Sequence, residues 1–315
     1  NKKSVELDLK SEEGLKLFKE LVSVADVVVD NFSQGVTKRL DIDHQSLKEV
    51  NPKIITCSIS GFGDTEVNRP AYDNLIQGYA GAMSITGTDK ENPVKSGIPI
   101  ADLGAGLYAV IGILSAIQSR EKNDFGEHVD ISMLDTQVSL LTYMATMHFL
   151  SGENPEPIGN QHMNHVPFNS YKTSDGFIQI GVVAEDFWPS LIEALDLRQL
   201  DTEENKVRSG RLKNRENIDQ AVQEVFITNT TEHWLKTLQE HRVPCGPINT
   251  LSETFQDADL LKRNMIVEVL QDSGASVKMP GNPVKISNHD EEFRRSPKLG
   301  EHTSEIFKNW LNKDI

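Results

Sequence analysis

The chain predicts an α/β fold built on a parallel sheet, and three observations carry that expectation. Short β-branched runs, DVVVD at 26–30 and KIITCSIS at 53–60, are separated by a helical pattern, as strands joined by crossover helices are. Polar turn-forming segments, NFSQG at 31–35 and GFGD at 61–64, follow those runs directly, where strands of such sheets end and ligands collect. A long apolar helical pattern at 104–120 then leads into another strand-like run, EHVDISM.

Taken in order, SVELDL reads as a strand ending at Lys10. Ser11 with Glu12 and Glu13 marks a helix start, and Leu15, Phe18, Leu21 and Val22 form its apolar face. HQSLKEV (44–50) is a short helix, and a second helix is expected over 135–151 after the one at 104–120. SGENPEPIGNQHMNHVP (151–167) is polar and rich in Pro and Gly, the character of a linker between domains. Beyond it GFIQIGV alternates like a strand, EDFWPSLIEAL begins a helix, and the charge-dense 200–220 reads as a solvated helical surface. VEVL and ASVKMP near 267–280 suggest a hairpin.

Composition narrows the functional classes. The chain has 315 residues, enough for one large or two ordinary domains, and a net charge of -15 that argues against a broad nucleic-acid surface. Charged residues make up 25% of it, and its apolar runs are broken before the length of a membrane span, so no membrane segment is expected. Two distant cysteines, Cys57 and Cys245, exclude a disulfide scaffold and suit a reducing cytoplasm. The opening NKKSVELDLK enters a strand at once, which suggests that a larger protein starts earlier.

Three constellations could carry chemistry. GAGLYA (104–109) fits the dinucleotide fingerprint, but Gly97 and Pro99 suit a preceding central strand badly, and no acid ends a following strand at the required distance. Asp102 stands at the start of that helical pattern, where its plain reading is an N-cap. The same place stabilises negative charge, the small Ala101, Gly104 and Ala105 give clearance, and a carboxylate there can attack an activated acyl group. RPAYDNLIQGYAGAM (69–83) puts Tyr72 and Asp73 at the head of another small-residue helix, so Asp73 and Asp102 can form a carboxylate pair or cap two unrelated helices. His162 and His165 give H-x-x-H spacing without the companion ligands a metal site needs, so no metal is expected.

Eight segments in one order resemble the class III CoA-transferases, the formyl-CoA transferase and carnitine CoA-transferase family. Among them are ADVVVDNFSQGVTKRL, NPKIITCSISGFG, RPAYDNLIQGYAGAM, GIPIADLGAGLYAVIGILSAI, RVPCGPINTL and LGEHTSEI. The resemblance implies a large Rossmann-like parallel-sheet domain over 1–160, a smaller α/β domain over 161–270, a segment 271–315 returning to the first, and two chains interlocked as a homodimer. Its members carry a further N-terminal β-α-β segment of roughly 70 residues, which is expected to be missing here.

It further implies transfer of CoA from an acyl-CoA to a free carboxylic acid through an aspartyl-CoA thioester on Asp102, with Tyr72 and Asp73 beside it. No cofactor is bound permanently; coenzyme A enters as substrate. By the same resemblance CoA contacts fall on Leu7, Asp8, Leu9, Lys10, Asn31, Phe32, Ser33, Arg39, Pro70 and Ala71, and His162, Asn164 and His165 lie in the substrate loop. Where the family often carries a basic residue near 70, this chain has Pro70 with Arg69 beside it, and its substrate loop is polar rather than glycine-rich. The alternatives are an α-methylacyl-CoA racemase of the same fold and a non-catalytic acyl-CoA-binding protein. The racemases carry a His-Asp pair where Tyr72–Asp73 stand, and a phenol with an ordinary pKa of about 10 is a poor proton-transfer base.

Overall fold

The computed structural model describes residues 1–65, 67 and 69–314. Helix α1 (Glu12–Val22) starts at Ser11, whose hydroxyl accepts from the Gly14 N–H at 3.0 Å. After β1 (Val27–Asp30) come α2 (Val36–Arg39), α3 (His44–Val50) and β2 (Ile55–Ser60). Then follow α4 (Asp73–Tyr79), a 3-10 turn at Ala82–Ile85, α5 (Ile100–Asn123) and β3 (His128–Ser132). The three strands form a parallel sheet in the order β1-β2-β3, with Val27 opposite Ile55 and Cys57 opposite Val129. This is the expected alternation, and the expected parallel sheet.

Helix α5 lies against β2 and β3. Gly112 permits that approach, because a Cβ there would stand 2.6 Å from Cγ1 of Val129. At its far end the Arg120 guanidinium donates to the Asp26 carboxylate at 2.9 Å and to the Lys53 carbonyl at 3.2 Å, tying helix to sheet.

The structure departs from the sequence reading at several points. SVELDL forms no ladder among the described residues. Its backbone is taken up by the C-terminal segment instead: the His302 N–H donates to the Ser4 carbonyl at 2.9 Å, and the Glu6 N–H to the Thr303 hydroxyl at 3.0 Å. The helix expected over 135–151 is two, α6 (Met133–Leu140) and α7 (Tyr143–Ser151), broken where Thr142 takes a positive φ of 49°, a costly conformation for a β-branched residue. Contrary to the expectation of no spanning segment, α5 is long and apolar enough to cross a membrane by length and composition alone. It is also wider than the pattern at 104–120, because Ile100–Leu103 already belong to it.

A second sheet, antiparallel, has the order β4-β5-β6 (Phe168–Lys172, Phe177–Gly181, Cys245–Pro247). Around it lie α8 (Phe187–Leu195), α9 (Arg208–Lys213), α10 (Arg215–Phe226) and α11 (Thr231–Glu240), enclosing Tyr171, Ile178, Trp188, Ile218, Phe226 and Leu238. The charged stretch 200–220 is therefore not wholly solvated. Arg211 is 1% exposed, and its guanidinium donates to the carbonyls of Val166 and Asn205 and to the Glu185 carboxylate. Beyond it come α12 (Leu251–Thr254), α13 (Ala258–Lys262) and the hairpin β7–β8 (Ile266–Leu270, Ser276–Pro280). The last helix, α14 (Thr303–Leu311), packs on α1.

Candidate active site

A cavity of about 730 Å³ opens beyond the carboxyl ends of β1 and β2, where an α/β sheet is expected to take its ligand. The turn Asn31–Gln34 forms one wall, Ile59–Gly63 another and Arg69–Tyr72 a third, while α5 contributes Asp102, Ala105 and Gly106. Asn31 both lines the cavity and locks the two turns together, its amide donating to the Ile59 carbonyl at 2.6 Å. Gly61 matters for shape, since a Cβ on it would fall 2.1 Å from Cβ of Ala71.

Asp102 is not the N-cap of its helix. It sits in the first turn of α5, whose N-cap is Pro99, and Pro99 offers no side-chain acceptor. The cap comes from another helix: Asp73, first residue of α4, places Oδ1 2.9 Å from the Ala101 N–H and 3.5 Å from that of Asp102. Capping is thus moved to Asp73, and the Asp102 carboxylate accepts no hydrogen bond among the described residues. Partial burial holds its pKa above the usual carboxylate range, and the negative charge of Asp73 adds to the rise. The sequence argument brought these two carboxylates together as one of two options, and the structure brings them together in this cap.

Asp73 is in turn held from its own helix. Gln77, one turn on and 1% exposed, donates its amide to Asp73 Oδ2 at 2.7 Å and accepts from the Ser96 N–H at 2.9 Å. Arg69 supplies the cavity's fixed positive charge. Its guanidinium lies 4.8 Å from the ring centre of Phe62 and 4.5 Å from that of Tyr79. It makes no ion pair among the described residues.

Of the residues singled out from sequence, Asn31, Phe32, Ser33, Pro70, Ala71, Tyr72 and Asp102 line this cavity. Leu7–Lys10 and Arg39 do not; Leu9 packs into the small core around Val22 and Leu47. His162, Asn164 and His165 also lie off it. The two imidazoles lie 4.6 Å apart with their planes tilted by 59°, and His162 accepts from the Asn164 N–H. Small residues of α5 divide between two tasks. A Cβ on Gly104 would meet Thr136 of α6 at 3.0 Å, whereas one on Gly106 would meet open space, so Gly104 serves helix packing and Gly106 gives clearance. The sequence reading missed the roles of Gln77 and Arg69. Gln77 alone left a signal, an Asp–Gln pair at i, i+4 on one helix.

A carboxylate that accepts no hydrogen bond among the described residues, a guanidinium held by two rings and a cavity at the sheet's carboxyl edge suit the handling of an acyl group or an anion. Comparison with known proteins makes the class definite. The profile of CoA-transferase family III matches residues 1–303. Human succinyl-CoA:glutarate CoA-transferase is 31% identical across 100% of this chain and 73% of its own length. Succinyl-CoA:mesaconate CoA-transferase of Haloarcula marismortui is 34% identical across 97% of the chain and 78% of its own. The crystal structure of a CAIB/BAIF family protein from Brucella suis superposes with a TM-score of 0.85 at 34% identity, covering 97% of this chain and 81% of that one. The chain belongs to CoA-transferase family III and is an enzyme of that class.

Proposed function

We propose that the protein moves CoA from an acyl-CoA donor, succinyl-CoA in the first instance, to a small free dicarboxylic acid, with Asp102 as covalent nucleophile. One observation supports this above the others: Asp102 lines the cavity from the first turn of a long helix, and its carboxylate accepts no hydrogen bond among the described residues. The named acids come from the relatives, two of which are succinyl-CoA transferases acting with glutarate or mesaconate.

In the proposed reaction a carboxylate oxygen of Asp102 attacks the thioester carbonyl, and collapse of the tetrahedral oxyanion expels CoA thiolate and leaves a mixed anhydride. The thiolate attacks the aspartyl carbonyl, releasing the donor acid and forming the aspartyl-CoA thioester. The acceptor carboxylate attacks that thioester, making a second anhydride and freeing the thiolate again. Attack of the thiolate on the acceptor's acyl carbon yields the new acyl-CoA and restores Asp102. Each step is an acyl transfer of similar difficulty, and no oxidant or net proton is needed. The proposed contacts for the CoA or acid anion are Arg69 and the turn Asn31–Ser33, while Tyr72 and Asp73 flank the nucleophile. CoA is a passing substrate in this reading, and no resident cofactor is invoked.

We extend the proposal to assembly and setting. Two domains are supported by separate cores: one on the antiparallel sheet, and two smaller ones around the parallel sheet. A homodimer is supported by large apolar side chains left exposed on α5 and on α7: Leu107 is 67% exposed, Phe149 80% and Leu150 83%. A cytoplasmic setting fits the two free cysteines.

The test supplies succinyl-CoA with a panel of free acids and follows acyl-CoA products by mass spectrometry. Formation of a new acyl-CoA from a dicarboxylate supports the reading. Exchange of the Cα proton of a branched acyl-CoA without CoA transfer would support the racemase instead.

A further inference from the structure

The geometry points to Gln77 as a positioning residue for CoA transfer: its carboxamide, fixed in one orientation by the Ser96 N–H, holds Asp73 as the acceptor that seats the first turn of α5 and with it Asp102. This rests on the reading of Asp102 as the nucleophile.

The orientation of the amide follows from its neighbours. A backbone N–H can only donate, so the atom of Gln77 facing Ser96 at 2.9 Å must be its carbonyl oxygen. The NH2 group then faces Asp73 Oδ2 at 2.7 Å. Asp73 Oδ1 is left for the N–H groups of Ala101 and Asp102. One buried side chain thus joins the segment leading into α5 at Ser96, the start of α4 and the start of α5. It touches neither the cavity nor Asp102 itself, and so acts through Asp73. The charged groups on the surrounding elements are Asp102 on α5, Asp135 on α6, Lys95 next to Ser96 and Arg69 ahead of α4. Among the described residues none of these side chains bonds to Asp73 or Gln77.

Gln77→Glu keeps the shape and reverses one role. A carboxylate at 77 still accepts from Ser96 N–H, but its other oxygen meets Asp73 Oδ2, and two carboxylates at that distance must share a proton. At acidic pH the shared proton restores the link. As pH rises the proton leaves, the two charges repel, and the first turn of α5 loses its seat. The double substitution D73N/Q77E restores a donor and an acceptor in reversed order. The amide introduced at position 73 would donate to the carboxylate introduced at position 77, and its carbonyl oxygen would remain for the Ala101 N–H.

The experiment measures kcat and KM for succinyl-CoA with a dicarboxylate acceptor, for wild type, Q77E, D73N and D73N/Q77E, with melting temperatures at each pH. From about pH 5.5 to about pH 8.5, kcat of Q77E relative to wild type should fall at least about tenfold while KM stays within about threefold. The double variant should lose that pH dependence and exceed D73N by about fivefold or more. A Q77E-to-wild-type ratio that is flat in pH, or a double variant no better than D73N, overturns the inference. Should Q77E not fold, Gln77→Met replaces it: about tenfold lower kcat at unchanged KM is expected, and wild-type kcat overturns the inference. Wild type no more active than D102N would instead remove the functional reading itself, so the two failures are told apart.

Discussion

Replacing Asp73 by alanine tests the cap that places Asp102. The substitution removes the acceptor from the Ala101 N–H, a bond of 2.9 Å, and the weaker one from Asp102 at 3.5 Å. Loss of a helix cap of this kind costs about 1 kcal/mol. It also leaves the Gln77 amide, buried in the protein, without the partner it now reaches at 2.7 Å, which adds about 1–3 kcal/mol. Removing a like charge beside Asp102 offsets a little of this. The expected net cost is about 2–3 kcal/mol. Urea unfolding at neutral pH, with the slope unchanged from wild type, measures it directly. A loss below about 0.5 kcal/mol, the range of an ordinary surface change, would refute the capping argument.

Other outcomes follow from the same geometry. Asp102→Asn should raise stability at neutral pH: the folded pKa lies above the unfolded one, so the charged form is disfavoured in the fold, and stability is lost as pH rises through that window. The gain should vanish below about pH 3.9, where the unfolded carboxyl is also protonated, and a gain that persists there would contradict the assignment. Arg69→Met keeps much of the stacking between Phe62 and Tyr79 but removes the charge, and should raise KM for the acyl-CoA about tenfold with a smaller effect on kcat. An unchanged KM would take Arg69 out of anion binding. Gly61→Ala drives a methyl into Ala71, so it should cost about 1–3 kcal/mol and lower activity; calorimetry and the transfer assay read both.

Period and turn chemistry made the first sheet legible. β1, β2 and β3 stand where β-branched runs alternate with helical patterns, and the cavity opens at the two turns those runs predicted. What escaped depended on partners far away in sequence. The apolar alternation of SVELDL promised a strand, yet its backbone bonds to residues nearly three hundred positions on. The plain reading of Asp102 as a cap was sound chemistry applied to the wrong carboxylate, because the acceptor for α5 arrives from α4. Arg69 is positioned by two rings at different places in the chain, an arrangement with no periodic trace. Breaking of the helix at Thr142 was likewise invisible, since nothing in LLTYMA announces a positive φ. Family-level resemblance supplied the functional class that local pattern left open, and the family profile bears that class out.

Mass spectrometry of the protein after brief incubation with succinyl-CoA tests the central claim most directly. The account predicts an adduct equal to CoA less one water, removed by hydroxylamine, on the peptide that carries Asp102, and none in Asp102→Asn. Transfer activity in Asp102→Asn equal to wild type, or an adduct confined to another carboxylate, would contradict it.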